Sequence, residues 1–388
     1  FAAFANRAVT IPLYATSSPA QAQYIINDAS IRYLFVGEQF QYDAAFSVLG
    51  MCHSIKQLIL FDRSIQRDAR DTTSIFFDEF VRQGEGFPYN DLVEKRSAEA
   101  TLDDVANILY TSGTTGEPKG VTLRHEAWQE QFRSHDKCLT TFSDQDISLC
   151  FLPLTHVFER GWTYVCLHKG AEVCINLRPQ DIQTTIKEVR PTVMCSVPRF
   201  WEKVYTGVQE KIANETGVVK AMMLDAIKVG KEHNLDYLRL GKKPPLMLHL
   251  KYKFYERTIY ALLKKTIGID RGNFFPTAGA AVPDEICEFV HAVGINMMVG
   301  YGLTESCATV SCFGVDRFEI GSVGEVLPGL EVKIGEENEI LLRGKTITRG
   351  YYRKQEATEA AIDADGWFHT GDAGYLKESS VLAFTYCP

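Results

Sequence analysis

The segment Tyr110-Thr-Ser-Gly-Thr-Thr-Gly-Glu-Pro-Lys-Gly-Val121 follows directly on the apolar run 105–110. A short apolar run of that kind is a buried strand, and the small, hydroxylated residues after it are a loop. Glycines let a backbone approach an anion closely, and hydroxyls with exposed N–H groups donate to phosphate oxygens. Lys119 adds a positive charge. The composition fits a phosphate cradle, with a flexible Ser/Thr/Gly linker as the alternative. It is not a Walker A loop, which needs G-x-x-x-x-G-K-[ST]; Gly113 and Gly116 lie too close together and Pro118 precedes the lysine.

Outward from this loop, short apolar runs alternate with amphipathic stretches between about residues 31 and 330. Strands are expected at 31–36, 57–61, 105–110, 147–151, 171–175, 192–197 and 295–299. Helices are expected at 125–138, 157–168, 180–189, 199–213 and 283–292. Such alternation predicts an α/β fold of layered, largely parallel sheets with flanking helices. The stretch 214–268 contains no convincing strand and reads as a helical insertion, broken at Gly241-Lys-Lys-Pro-Pro245. After Gly321 the runs become short, β-type and separated by Gly and Pro, the pattern of a small antiparallel sheet or distorted barrel. The expected organisation is a core over 1–320, a β-rich subdomain over 321–380 and a tail, 381–388, that continues no pattern.

The chain has 388 residues, 45% hydrophobic and 23% charged, with 29 Gly and 14 Pro. Those proportions exclude collagen-like, low-complexity and largely disordered chains. The net charge of −8 and the lack of a long basic cluster argue against nucleic acid as a partner. Ten scattered cysteines without zinc spacing read as reduced thiols of a cytoplasmic protein. No run of about 18 apolar residues is present to span a membrane. No obligate protein partner is implied.

The segment 110–120 resembles the signature of the adenylate-forming, or AMP-binding, superfamily of acyl-CoA synthetases, luciferases and peptide-synthetase adenylation domains. Four further motifs fall in that family's order. Phe151-Leu-Pro-Leu-Thr-His156 is similar to the segment at the mouth of the acyl pocket, and Thr277-Ala-Gly-Ala-Ala281 to the glycine-rich strand end beside the adenine. Gly300-Tyr-Gly-Leu-Thr-Glu305 resembles the adenylate motif, and Gly366-Trp-Phe-His-Thr-Gly-Asp372 the ribose-binding segment.

The resemblance implies attack of a carboxylate on the α-phosphate of ATP, giving an acyl-adenylate and pyrophosphate, then transfer to the thiol of coenzyme A. An anion must approach a polyanion, so positioning and charge neutralisation carry the catalysis. By resemblance, Thr111, Ser112, Gly113, Thr114, Thr115, Gly116 and Lys119 hold the β- and γ-phosphates. Thr304 donates to the α-phosphate, and Glu305 binds Mg²⁺. Tyr301 lies against the adenine, with Gly302, Gly279, Ala280 and Ala281 around the nucleotide, and Asp372 accepts the ribose hydroxyls. His156 and Gly300 are placed beside the substrate carboxylate. Trp162 is either a gate of the acyl tunnel or a core aromatic.

Within the superfamily, Leu152-Pro-Leu-Thr-His-Val-Phe-Glu-Arg160 and Ser196-Val-Pro-Arg-Phe-Trp-Glu-Lys-Val-Tyr205 look most like long-chain fatty acid–CoA ligases, as does the helical insertion. The expected partners are therefore a fatty acid, ATP and CoA. Two alternatives are a fatty acyl-AMP ligase and a catalytically silent nucleotide- or acyl-binding fragment. The family's first strands and its mobile C-terminal domain have no counterpart here, so weak nucleotide binding and poor turnover are expected. Lys242-Lys243 and Lys264-Lys265 beside apolar residues admit peripheral contact with the inner face of a membrane; a solvated charged face is the alternative.

Overall fold

A computed structural model describes residues 1–86, 90–111, 117–315, 317–377 and 381–384. The chain divides into two compact units, Phe1–Glu126 with Thr348–Ala360, and Ala127–Ile347 with Ala361–Pro388.

In the first unit, strands Tyr33–Val36, Gln57–Leu60 and Ser74–Phe76 pair in parallel. Parallel strands are covered on both faces and read as continuous apolar runs. Accordingly Leu58, Ile59 and Leu60 are fully buried. Helix Pro19–Asp28 starts where its local chemistry requires. Ser18 and Gln21 form a reciprocal cap, and Pro19 needs no donor at the first position. Strand Val105–Thr111 pairs antiparallel with Lys119–Arg124, which the sequence pattern did not single out.

In the second unit, Ile147–Cys150 runs parallel to Glu172–Ile175. Phe275–Thr277 runs parallel to Met297–Tyr301. The segment between these pairs, expected as a strand over 192–197, makes only isolated parallel bridges, Val193 to Ser148 and Phe274, and Ser196 to Thr277. Pro191 precedes it, and Pro198 opens the helix Pro198–Asn214 that ends it. The bridges nonetheless align all these segments in one direction.

Ser311–Cys312 is antiparallel to both Met297–Tyr301 and Gly324–Val326. Through it the β-type runs after Gly321 extend a single eight-stranded sheet that ends at Leu330–Ile334. Val381–Phe384, which matched no sequence pattern, pairs with both Gly324–Val326 and Phe368–Lys377. The stretch after Asn214 is helical, with helices Gly217–Lys231, Leu246–Tyr255 and Ala261–Ile267 and π-helical turns between. Among the described residues, no helix is long and apolar enough to cross a membrane.

Candidate active site

In the first unit the antiparallel ladder sets Thr111 opposite Lys119. Ser112, Gly113, Thr114, Thr115 and Gly116 lie outside the described residues. The described residues that follow, Pro118 to Gly120, are held by hydrogen bonds. The Tyr24 hydroxyl donates to the Pro118 carbonyl at 3.1 Å. The Tyr352 N–H donates to the Gly120 carbonyl at 2.7 Å. A Cβ on Gly120 would lie 2.7 Å from the Ile108 side chain, so only glycine fits. The Lys119 ammonium sits 5.0 Å from the centre of the Tyr351 ring, a cation–π distance.

In the second unit the strand direction decides what meets. The carboxyl ends of Ile147–Cys150, Phe275–Thr277 and Met297–Tyr301 point to one edge of the sheet. The segments leaving that edge are 151–156, 278–281 and 302–305, three of the motif segments found in the sequence. Ligands of open α/β sheets bind in the crevice outside the carboxyl ends of the strands.

The segment 151–156 is clamped from the helix that follows it, Val157–Lys169. Glu159 is fully buried and accepts from the Leu152 N–H at 3.0 Å and from the Cys195 thiol at 3.3 Å. Burial holds its carboxyl above the usual range, against those hydrogen bonds. Arg160 donates to the Leu154 carbonyl at 2.9 Å and to the Tyr164 hydroxyl at 3.1 Å. His156 stands exposed at the helix start, with its N–H on the Pro153 carbonyl at 3.0 Å. Trp162, six residues on, turns into the core. Its indole N–H donates to the Ser148 hydroxyl at 2.9 Å, and its ring stacks on Phe142 at 5.3 Å.

At the next strand end, the Thr277 hydroxyl is buried between the Ser196 hydroxyl at 2.9 Å and the Trp201 indole N–H at 2.8 Å. Gly279 has φ +92°, where a side chain is strained, and Gly279, Ala280 and Ala281 are exposed.

The segment that leaves Met297–Tyr301 forms a tight turn. Ser306 accepts from the Leu303 N–H at 2.9 Å and donates back to the Leu303 carbonyl at 3.0 Å. Gln131 donates to the carbonyls of Ser306 at 3.1 Å and Thr309 at 2.8 Å. A Cβ on Gly302 would fall 1.5 Å from the Ala308 carbonyl oxygen. Cys307 and Ala308 both hold positive φ, of 57° and 86°. Thr304 and Glu305 are half-buried on this turn. Gly300 precedes it, with the Ser311 carbonyl 3.0 Å from where a Cβ would stand.

One hydrogen bond joins two motifs across the sheet. The buried Tyr301 hydroxyl donates to Asp372 Oδ2 at 2.7 Å. Burial, followed by the Asp372 charge, pushes the Tyr301 phenol well above its ordinary value, so it remains a neutral donor. The Asp372 N–H is itself fixed by the Thr370 hydroxyl at 3.0 Å.

A family described as AMP-binding enzyme matches residues 1–352. The chain belongs to this family. Long chain acyl-CoA synthetase 3 of Arabidopsis thaliana is 29% identical over 401 residues, covering 96% of this chain and 57% of that protein. Long-chain-fatty-acid–CoA ligase FadD15 of Mycobacterium bovis is 29% identical, covering 99% of this chain and 62% of that protein. The chain thus spans about three-fifths of the length of these relatives. The inhibitor-bound N-terminal domain of FACL13 from Mycobacterium tuberculosis superposes with a TM-score of 0.66 at 18% identity, over 98% of this chain and 80% of that one. The anthranilate CoA ligase AuaEII, in complex with anthranoyl-AMP, gives 0.65 at 17% identity, over 97% and 63%. At these identities the two structures establish the shared fold.

Glu159, Ser306 and Gln131 were missed by sequence reasoning. Glu159 lies within the segment 152–160, but a lone glutamate carries no signal that it will be buried.

Proposed function

We propose that this chain supplies the nucleotide- and acyl-binding core of an ATP-dependent acid–CoA ligase whose acid is a long-chain fatty acid. The observation that carries the reading is the Tyr301–Asp372 hydrogen bond, which ties the adenylate motif to the ribose motif 71 residues away. The Asp372 side chain has two oxygens that accept hydrogen bonds. Tyr301 bonds to one and aims the other, leaving acceptors for the two ribose hydroxyls.

In the proposed reaction a carboxylate oxygen of the acid bonds to the α-phosphorus, and the bond to pyrophosphate breaks. The CoA thiol then gives up its proton and bonds to the acyl carbon, with AMP leaving. Lys119 and the loop from Thr111 to Gly116 hold the departing phosphates. The Thr304 hydroxyl donates to the α-phosphate, and the rigid turn under it keeps that donor in place. His156 and Gly300 are proposed beside the carboxylate, and Gly279, Ala280 and Ala281 beside the adenine.

The donor set suits Mg²⁺. No cluster of three or more metal-ligating side chains occurs among the described residues. Magnesium shared with phosphate oxygens needs only one or two protein carboxylates, and Glu305 offers one. When bound, the ion neutralises phosphate charge. The long-chain assignment is supported by the names of the acyl-CoA synthetase relatives and by the resemblance of 196–205.

Calorimetric titration with non-hydrolysable palmitoyl- and acetyl-adenylates tests this reading. Preference for palmitoyl, abolished by Asp372→Ala, is expected. Equal binding would withdraw the long-chain assignment, and binding of neither would withdraw the adenylate site.

A further inference from the structure

The charge of this chain is unevenly placed. Residues 214–268 hold eleven Lys and Arg against five Asp and Glu, a net +6 within a chain of −8. The same stretch holds eleven of the 27 large hydrophobic side chains exposed among the described residues. Soluble surfaces scatter such residues singly, so their concentration points to an interaction surface.

Helix Leu246–Tyr255 shows how the two properties combine. Tyr252 and Tyr255 turn inward and are buried. Leu246, Met247, Leu250 and Phe254 are 72%, 77%, 54% and 53% exposed. Their spacing of one, three and four residues sets all four on one helical face. Basic residues surround that face. Lys242 and Lys243 lie exposed in the turn before the helix, and Arg257 lies exposed one turn after Phe254. Among the described residues, none of these three forms an ion pair with an acidic side chain. Lys251 at the edge of the face pairs with Asp225 at 2.8 Å, and Lys253 with Glu256 at 2.6 Å.

We propose that this helix and the lysine turn ahead of it form a peripheral docking face for an anionic lipid bilayer. An apolar stripe rimmed by cations matches the boundary between anionic headgroups and acyl chains. The helix has ten residues, too few to span, so it lies on the surface. A second copy of the chain is a poorer match, because self-association through this face would bring two positively charged surfaces together. The proposal deepens the fatty-acid reading above, since it places a bilayer, where such acids partition, against the acyl-binding unit.

Vesicle co-sedimentation of the 388-residue chain, without nucleotide or fatty acid, tests it independently of catalysis. Vesicles of phosphatidylcholine with about one-quarter phosphatidylglycerol are expected to bind about ten-fold more tightly than pure phosphatidylcholine, and less in about 0.5 M salt. Leu250→Asp with Phe254→Asp should lower binding about ten-fold with an unchanged circular-dichroism spectrum, because both side chains are exposed. Lys242→Glu with Lys243→Glu should remove the preference for anionic vesicles. Equal binding by wild type and both variants, or no binding to either vesicle, would overturn the proposal. So would a dimer in sedimentation equilibrium that Leu250→Asp with Phe254→Asp dissolves while no vesicle binds. Binding without adenylate affinity would leave this face standing and remove only the catalytic reading.

Discussion

The buried Tyr301 and the half-buried Asp372 form a pair whose hydrogen bond is 2.7 Å long. Removing the phenol leaves the carboxylate free to turn away from the proposed ribose position, and a hydrogen bond to a charged group contributes about 1.5–3 kcal/mol. Tyr301→Phe is therefore expected to weaken binding of an acyl-adenylate analogue roughly ten-fold or more in calorimetry. Gly302 shows a steric limit of the same site. The Cβ of Gly302→Ala would overlap the Ala308 carbonyl at 1.5 Å. The turn must move, and overpacking of that kind costs typically about 1–3 kcal/mol in urea unfolding. A Gly302→Ala protein with wild-type stability and adenylate affinity would show that the turn yields to the added methyl group.

The elements that shape the site are held by polar side chains in their interiors. Helix Val157–Lys169 carries Glu159, which grips Leu152 at the start of the preceding loop. Because burial raises the Glu159 carboxyl, the folded protein binds that proton more tightly than the unfolded chain. Its contribution to stability is fully present below the ordinary glutamate value of 4.5 and is lost as pH rises from there through the raised folded value. Glu159→Gln keeps an acceptor for the Leu152 N–H and removes the titration. The difference in unfolding free energy between wild type and Glu159→Gln should fall across that window and level off above it. A flat difference from pH 4.5 upward would show that Glu159 ionises normally. The turn 303–308 is held in the same manner by Ser306 from within and Gln131 from a neighbouring helix.

Across the whole molecule the nine described cysteines are free thiols, seven of them buried. Burial pushes Cys150, Cys166 and Cys287 up to about 12, where little reactive thiolate forms near neutral pH. Alkylation of the native protein, followed by peptide mass spectrometry, should label Cys138 and Cys174, both half-buried, well before the other seven. Rapid native labelling of Cys166 or Cys195 would mean that the core of the second unit opens readily. The uneven charge is also a property of the whole chain: residues 214–268 carry +6 and the remainder −14.

Much of this was legible in the sequence. Apolar runs marked the strands at 33–36, 57–60, 105–111, 147–150 and 297–301 to within two residues at each end, because a short apolar run bounded by turn residues is the local signature of a strand. Helix His125–Cys138 likewise matches its expected span. The segments 151–156, 278–281 and 302–305 were legible as motifs in the sequence, and the parallel strands before them set all three at one sheet edge. What only the tertiary structure decided was the neighbour of each side chain. Trp162 fitted a tunnel or a core equally well by spacing, and its place was set by Ser148 and Phe274, 14 residues before it and 112 after it. Glu159 looked like any helical glutamate until Cys195 and Leu152 closed around it. Leu250 and Phe254 face outward because Tyr252 and Tyr255 take the inner side of their helix. Local pattern fixes the backbone through short-range sterics and hydrogen bonding, whereas burial depends on contacts between residues far apart in the chain, which no single segment encodes.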